Sequence, residues 1–174
     1  MSEENEVIIG VGCGFVGRYF AKAIAKDIKT NHKKKKYIFS KNSNANARFT
    51  IKVQLGEIKD NQIRLRKLSN IAIATKCFVK ENFLQASLNN EELCKFPLIV
   101  FESFREEIEQ SNSCNILAGC DDARTIFALV KEGIGVGLCY REHLEEMNTD
   151  GIVVLSILDR FLPEASLVIE YDCK

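Results

Sequence analysis

Residues 125–140, TIFALVKEGIGVGLCY, predict an amphipathic helix followed directly by a buried strand. The helix begins at a capping residue, Asp121 or Asp122, and ends before Gly133, which suits the left-handed position that closes a helix. Its buried stripe has three apolar members at helical spacing: Ile126, Phe127 and Val130. The uncharged run 134–140 follows as the strand. A helix joined to a strand in this way is the building unit of an α/β fold.

Outward from this stretch, apolar runs and turn residues predict an alternation of short strands and helices. The predicted strands are 6–12, 37–39, 70–75, 83–86, 97–101, 115–119, 152–155 and 166–171. The further predicted helices are 15–29, 89–94, 105–110 and 142–147. Residues 49–55, FTIKVQL, alternate like a strand, and their assignment to helix or strand stays open. The whole pattern favours an α/β fold with mainly parallel strand pairing.

The composition is that of a globular domain without an obvious nucleic-acid surface. The 174 residues include 24 Lys+Arg and 24 Asp+Glu, so the formal net charge is zero. A domain that binds duplex DNA usually carries a basic excess, and nothing here requires nucleic acid. The acidic N-terminus lacks the features of a signal peptide, and no apolar stretch is long enough to span a bilayer. We therefore expect a cytoplasmic protein with no membrane partner.

The seven cysteines do not form a recognisable disulfide or metal framework. Their number is odd, their spacing is irregular and most lie in apolar runs, so we expect reduced and mostly buried thiols. No Cys-x-x-Cys pair occurs, and His32 and His143 have no partners at zinc spacing. We expect no metal site.

Residues 12–17, GCGFVG, match the GxGxxG pattern of dinucleotide-binding turns, after a strand and at the start of a helix. The next predicted strand ends in Ser40, Lys41 and Asn42 rather than in the acidic residue that binds the ribose of NAD, so NADP is the nucleotide that this pattern would suit. No catalytic set follows in the sequence. An NADP-binding Rossmann-type oxidoreductase fragment is therefore the alternative to a domain that binds a ligand without being an enzyme.

Several segments resemble the effector-binding domain of LysR-type transcription regulators. Residues 91–100 resemble its short helix and Pro-Leu-Ile strand, and residues 125–140 its apolar helix and glycine-flanked strand. Residues 55–59, LGEIK, resemble the Leu-x-x-Gly-Glu-Leu-Asp segment that leads into an inner strand, and residues 151–155 look like a later strand. The resemblance covers most of the chain in order.

This resemblance implies a two-lobed type 2 periplasmic-binding-like fold with two crossover strands and a small-molecule effector in the interlobe cleft. Lobe I would comprise residues 1–80 and 166–174, and lobe II residues 81–165, with no DNA-binding domain in this chain. DNA would be contacted only through a helix-turn-helix domain that is absent from the chain. The family further implies a homodimer or tetramer, with helices 15–29 and 123–131 of two copies packed in antiparallel pairs.

The candidate effector is a small anion, because helix starts offer unpaired N–H groups and positive dipole ends. The first predicted set is the turn Cys13-Gly14-Phe15, and the second is Glu102-Ser103 or residues 121–123. The carboxyl edge of an open α/β sheet is where ligands bind, so we add the loop that follows the second strand. The complete set of predicted effector-binding residues is Cys13, Gly14, Phe15, Ser40, Lys41, Asn42, Ser43, Thr75, Glu102, Ser103 and Asp122.

We predict that the chain binds no nicotinamide cofactor and needs no other cofactor, because an acidic ribose ligand and a catalytic set are both missing. Calorimetric titration with NADPH tests this prediction. Absence of heat at micromolar concentrations is the expected result, and a micromolar dissociation constant would favour the oxidoreductase alternative.

Overall fold

The structure is a computed structural model that describes residues 6–11, 21–22, 25–26, 29–30, 36–40, 49–111 and 113–171. The chain divides into two compact units, Met1–Leu68 with Glu164–Lys174, and Ser69–Pro163. It passes into the second unit after Leu68 and returns after Pro163. The predicted boundaries were 80/81 and 165/166. The first crossing comes earlier than predicted because the strand that starts at Asn70 pairs with strands of the second unit.

The first unit contains a mixed sheet in the order β2-β1-β3-β11-β4. β1 runs parallel to β2 and β3, whereas β11 runs antiparallel to both β3 and β4. Residues 21–22, 25–26 and 29–30 are helical, so the described part of the predicted helix 15–29 agrees with it and extends one residue beyond its end. The strands are β1 Glu6–Val11, β2 Lys36–Ser40, β3 Phe49–Leu55, β4 Gln62–Lys67 and β11 Ala165–Tyr171.

The open assignment of residues 49–55 is settled as a strand, in the middle of this sheet. Alternation places Ile51 in the core with no exposed surface, while Lys52 points to the other face. There the Lys52 ammonium lies 2.7 Å from the Glu170 carboxylate of β11. Gln62 of β4 donates to the same carboxylate at 2.6 Å, which ties three strands together through one buried amide.

Residues 55–59, which the resemblance placed before an inner strand, run from the end of β3 toward a strand at the edge of the sheet. Leu55 is the last residue of a strand, and Gly56 adopts a positive φ of 71° in the turn that follows it. Its N–H donates to the Glu164 carbonyl at 2.8 Å. The segment leads to β4, which lies at the edge of the sheet and was not predicted as a strand.

The second unit contains a mixed sheet in the order β6-β10-β5-β9-β7-β8. β7, β8 and β9 are parallel to one another, and β5 runs antiparallel to both β9 and β10. Its strands are β5 Asn70–Thr75, β6 Ser87–Leu88, β7 Leu98–Phe101, β8 Ile116–Cys120, β9 Val136–Tyr140 and β10 Ile152–Ile157. Its helices are α1 Lys76–Glu81, α2 Asn90–Leu93, α3 Glu102–Ser111, α4 Ala123–Lys131 and a 3-10 helix over Arg141–Glu146.

The predicted helix and buried strand of residues 125–140 are confirmed, and they form part of the core of the second unit. α4 begins after the capping residue Asp122 and buries its apolar stripe against the sheet. Gly133 has the expected positive φ of 73°. A Cβ on Gly137 of β9 would lie 2.6 Å from Val130 and 2.8 Å from Ile126, so glycine allows the helix to approach the strand this closely. Every residue of β9 is buried, which is typical of a central parallel strand.

The predicted strand 83–86 is wrong. Thr75 caps the unpredicted helix α1 by accepting a hydrogen bond from the Phe78 N–H at 3.1 Å. Phe83 then adopts a positive φ of 53° and leaves 86% of its surface exposed, which a buried strand does not allow. The strand of this region is the short β6, which pairs with β10.

The expectation that the cysteines are all reduced is wrong for one pair. Cys94 and Cys114 form a disulfide with their Cα atoms 4.3 Å apart. Among the described cysteines, Cys120 and Cys139 are free and buried as expected, while Cys77 is free and exposed. The irregular spacing along the sequence concealed a pair that the alignment of β7 with β8 brings together.

The strand order contradicts the Rossmann alternative. A Rossmann domain requires one open, mostly parallel sheet with helices on both faces. Here the strands belong to two separate sheets, and antiparallel β11 lies between β3 and β4.

Candidate functional site

The carboxyl ends of β7, β8 and β9 lie at one edge of the second sheet, because these strands are parallel. Phe101, Cys120 and Tyr140 are the last residues of the three strands. Asn70 joins them, since antiparallel β5 begins beside Tyr140. We call this set of strand ends, with the residues that follow each parallel strand, the carboxyl edge. Open α/β sheets bind ligands at such edges.

Glu102 and Ser103, both predicted site residues, lie at this edge in the first turn of α3. Both carboxylate oxygens of Glu102 accept hydrogen bonds from the Arg105 Nε, at 3.0 and 3.1 Å. The Glu102 side chain lies over Gly119 of β8, where any Cβ would collide with its carboxylate. Glu102 therefore places a negative charge, partly balanced by Arg105, on the surface beside β8.

Asp122 also lies at the carboxyl edge, but it occupies the helix start that was predicted to hold an anion. Its carboxylate accepts a hydrogen bond from the Thr125 N–H at 2.8 Å. That backbone hydrogen bond lowers the pKa of the Asp122 carboxyl. The Asp122 carboxylate thus takes the place at the start of α4 that the ligand's anion was predicted to occupy.

The electrostatic character of this part of the edge is acidic. Burial raises the pKa of the Cys120 thiol, and the charges of three nearby carboxylates raise it further. Those carboxylates belong to Asp122, Asp121 and Glu102. These carboxylates favour a ligand group that donates hydrogen bonds or carries positive charge, and they disfavour a negatively charged one.

An aromatic cluster, which the sequence analysis did not identify, lies beside these acids. The ring of Phe101 is 5.6 Å from that of His143 and 6.4 Å from that of Tyr140, and the Tyr140 and His143 rings are 5.8 Å apart. Burial lowers the pKa of His143 to about 4. The Tyr140 N–H donates to the Nδ1 of His143 at 3.4 Å. His143 is therefore neutral near pH 7.

The same end of β9 holds residues beside both chain crossings. The Tyr140 hydroxyl donates to the Pro163 carbonyl at 3.1 Å, and the Arg141 N–H donates to the Ser69 carbonyl at 2.8 Å. Glu142, which is 1% exposed, accepts from the Ser69 N–H at 3.2 Å. Burial raises the pKa of Tyr140 to about 12, so its hydroxyl keeps the proton that it donates. The only signal in the sequence for these residues was their position at the end of the predicted strand 134–140.

Thr75 does not belong to the candidate site. β5 runs antiparallel to β9, so its last residue lies at the opposite edge of the sheet from Tyr140. Its hydroxyl caps α1. The sequence predicted mainly parallel pairing and did not indicate that β5 runs antiparallel to its neighbours.

The first-unit part of the predicted set remains a prediction. The described residues include Ser40, as the backbone of the last residue of β2. The remaining members lie outside the described residues: Cys13, Gly14, Phe15, Lys41, Asn42 and Ser43.

Within the described part of the chain, no group of three or more His, Cys, Asp or Glu side chains could hold a metal ion. No helix within it is long and apolar enough to cross a membrane.

Solved regulatory domains of LysR-family proteins resemble this chain over nearly its whole length. HinK, a LysR family transcriptional regulator from Pseudomonas aeruginosa, matches 95% of this chain and 63% of its own, with TM-score 0.69 and 13% identity. The regulatory domain of AphB from Vibrio vulnificus matches 97% and 91%, with TM-score 0.63 and 13% identity. The regulatory domain of CcmR from Synechocystis, in complex with 2-PG, matches 97% and 88%, with TM-score 0.71 and 12% identity.

These matches confirm the resemblance at the level of the fold. The chain has the α/β fold of a LysR-type regulatory domain. It spans less than two thirds of the full-length regulators that it matches. No protein-family model and no curated protein matches the sequence.

The neutral state of His143 predicts a loss of stability in mild acid. The unfolded chain binds a proton at His143 below about pH 6.5, whereas the folded chain resists protonation down to about pH 4. The contribution of His143 to the free energy of unfolding is therefore full above pH 6.5, and it falls by about 3 kcal/mol as the pH drops to 4. Urea unfolding of wild type and His143→Gln across this range measures the difference.

Glu170→Gln is the control for that experiment. Hydrogen bonds from Lys52 and Gln62 lower the pKa of the Glu170 carboxyl, so its contribution is lost below its ordinary value of 4.5. Glu170→Gln should keep the loss between pH 6.5 and 4.5, and His143→Gln should remove most of it. An unchanged slope in His143→Gln would contradict the burial of a neutral imidazole.

Proposed function

We propose that this chain is the effector-sensing domain of a cytoplasmic LysR-type transcription regulator and is not an enzyme. The observation that carries the proposal is the fold match to regulatory domains over nearly the whole chain. Contact with DNA, in this proposal, belongs to a helix-turn-helix domain outside residues 1–174. The carboxyl edge of the second sheet supports a binding role, because acidic groups, neutral His143 and aromatic rings meet there.

The proposed effector carries an anionic group, bound in the first unit. The support is the sequence: the turn Cys13-Gly14-Phe15 opens the predicted helix 15–29, and the loop 40–43 adds hydroxyl, amide and ammonium donors. In the second unit, Glu102 and Asp122 favour donor groups of the effector instead. The proposed anion site therefore does not include these second-unit residues.

A small-molecule screen by thermal shift tests the proposed anion. Carboxylates should raise the melting temperature, and their neutral amides should not. Cys13→Glu should weaken the binding of each carboxylate hit at least roughly 100-fold, because two carboxylates would then meet with little screening.

Cys77→Glu is the matched control, since Cys77 is an exposed cysteine of the second unit. It should bind the hits as wild type does. Equal binding of acids and amides, or unchanged binding by Cys13→Glu, would contradict the assignment of the anion to the Cys13 turn.

We also propose that two copies of the chain associate through oppositely charged helix faces. Exposed lysines at i, i+4 and i+7 line the first helix: Lys22, Lys26 and Lys29. Exposed glutamates line α3 at the same spacing: Glu102, Glu106 and Glu109. The helix expected for this contact, 123–131, instead exposes Arg124 and Lys131. Charge complementarity therefore favours α3 as the partner of the lysine face in an isologous dimer.

Charge reversal tests this dimer. Lys26→Glu or Glu106→Lys alone should shift the protein to monomer in light scattering at low salt, because each sets like charges against each other. The double variant Lys26→Glu/Glu106→Lys should restore the dimer, and Lys131→Glu should leave it intact. A monomeric wild type at high micromolar concentration would contradict self-association, and dissociation by Lys131→Glu alone would favour the helix 123–131.

A further inference from the structure

The disulfide between Cys94 and Cys114 lies at the amino ends of β7 and β8, opposite the carboxyl edge. Cys94 ends α2, and Cys114 precedes β8. Both residues are half-buried, and the residues beside them, Lys95, Ser113 and Asn115, are exposed. A small thiol in solution can therefore approach this bond more easily than it can approach a sulfur atom inside the core.

The two free buried cysteines are poor competitors for redox chemistry. Burial raises the pKa of Cys139 to about 12. Burial and the nearby acids also raise the pKa of Cys120. The thiolate is the reactive form of cysteine, so both groups are chemically quiet near pH 7.

The bond closes a loop that contains one complete structural unit of the sheet. Between the cysteines, which are 20 residues apart, lie β7 and α3. The first turn of α3 carries Glu102 and Ser103 to the carboxyl edge, and its last turn leads into the segment before Cys114. Closing the loop restricts its unfolded conformations, so the bond favours the docked state of β7 and α3.

We propose that Cys94–Cys114 is a reversible thiol–disulfide site, opened by low-molecular-weight thiols and closed by low-molecular-weight disulfides. The proposal rests on the proposed function for its cytoplasmic setting, where disulfides are usually transient and redox-sensing. Opening the site releases the constraint on β7 and α3, and so changes how firmly the acidic groups of α3 are held at the carboxyl edge.

The exchange is balanced by two molecules of thiol. A first thiolate attacks one sulfur of the pair, the Cys94–Cys114 bond breaks, and the released protein thiolate takes up a proton. A second thiolate then attacks the sulfur of the bound small molecule, forms a small disulfide and frees the second protein thiol. The protein gains two electrons and two protons, and the two thiols are oxidised to one disulfide. A small disulfide reverses both steps.

Redox titration of the whole chain tests the site. The protein is equilibrated in mixtures of reduced and oxidised glutathione, alkylated, digested and analysed by mass spectrometry. We expect the Cys94 and Cys114 peptides to change together and reversibly from disulfide-linked to doubly alkylated. A pair that stays linked in millimolar reduced glutathione, or that never links in oxidised glutathione, would overturn the proposal.

Hydrogen exchange tests the consequence for the loop. Reduction should raise the opening equilibrium of residues 95–113 roughly 100-fold, from the loop-closure entropy of a bond of this span. The β5 strand, outside the loop, should change little. Cys94→Ser/Cys114→Ser should behave as the reduced form under all conditions, and Cys77→Ser as wild type. Equal exchange in oxidised and reduced protein would refute the structural consequence.

These readouts need no effector. A reversible pair in a chain that binds no carboxylate in the thermal-shift screen would leave the redox site standing and count against the proposed function.

Discussion

The carboxyl end of β9 is the constraint on which the second unit depends. Within three consecutive residues, Tyr140 binds the Pro163 carbonyl, Arg141 binds the Ser69 carbonyl and Glu142 binds the Ser69 N–H. Ser69 and Pro163 are the first and last residues of that unit. The strand that carries these groups is fully buried, because glycine at position 137 lets α4 pack directly on it. A substitution at this strand end therefore alters hydrogen bonds to the residues beside both chain crossings, Ser69 and Pro163.

Burial governs the protonation of the groups at that end. His143 is held neutral by burial, and its Nδ1 is occupied by the Tyr140 N–H. Cys120 keeps its proton because burial and neighbouring carboxylates disfavour a thiolate. A thiolate nucleophile at Cys120 would need a lowered pKa instead. In the proposed binding role, the ligand would meet the carboxylates and the aromatic rings that lie beside these groups.

Residues 125–140 and 49–55 explain how far the sequence could predict this structure. The helical stripe ending at Gly133 and the buried strand after it were predictable because their period and turn chemistry are local. Strand direction is not local, so the sequence did not show that Thr75 and Tyr140 lie at opposite edges of the sheet. His143 and the Cys94–Cys114 pair were missed for the same reason, since tertiary pairing of distant segments creates their environments. Residues 49–55 alternate like a strand, but the pairing with β1 and β11 that makes them one is likewise not local.

Tyr140→Phe measures the central interaction most directly, because it keeps the ring and removes the hydroxyl that binds Pro163. Tyr171→Phe is the control, since the Tyr171 hydroxyl is exposed and its hydrogen bond to the Asp60 carbonyl is long, at 3.5 Å. In urea unfolding, we expect Tyr140→Phe to lower the free energy of unfolding by about 1–3 kcal/mol, the cost of a lost buried hydrogen bond. Tyr171→Phe should change it by less than about 0.5 kcal/mol. Equal stability of the two variants would contradict a structural role for the end of β9.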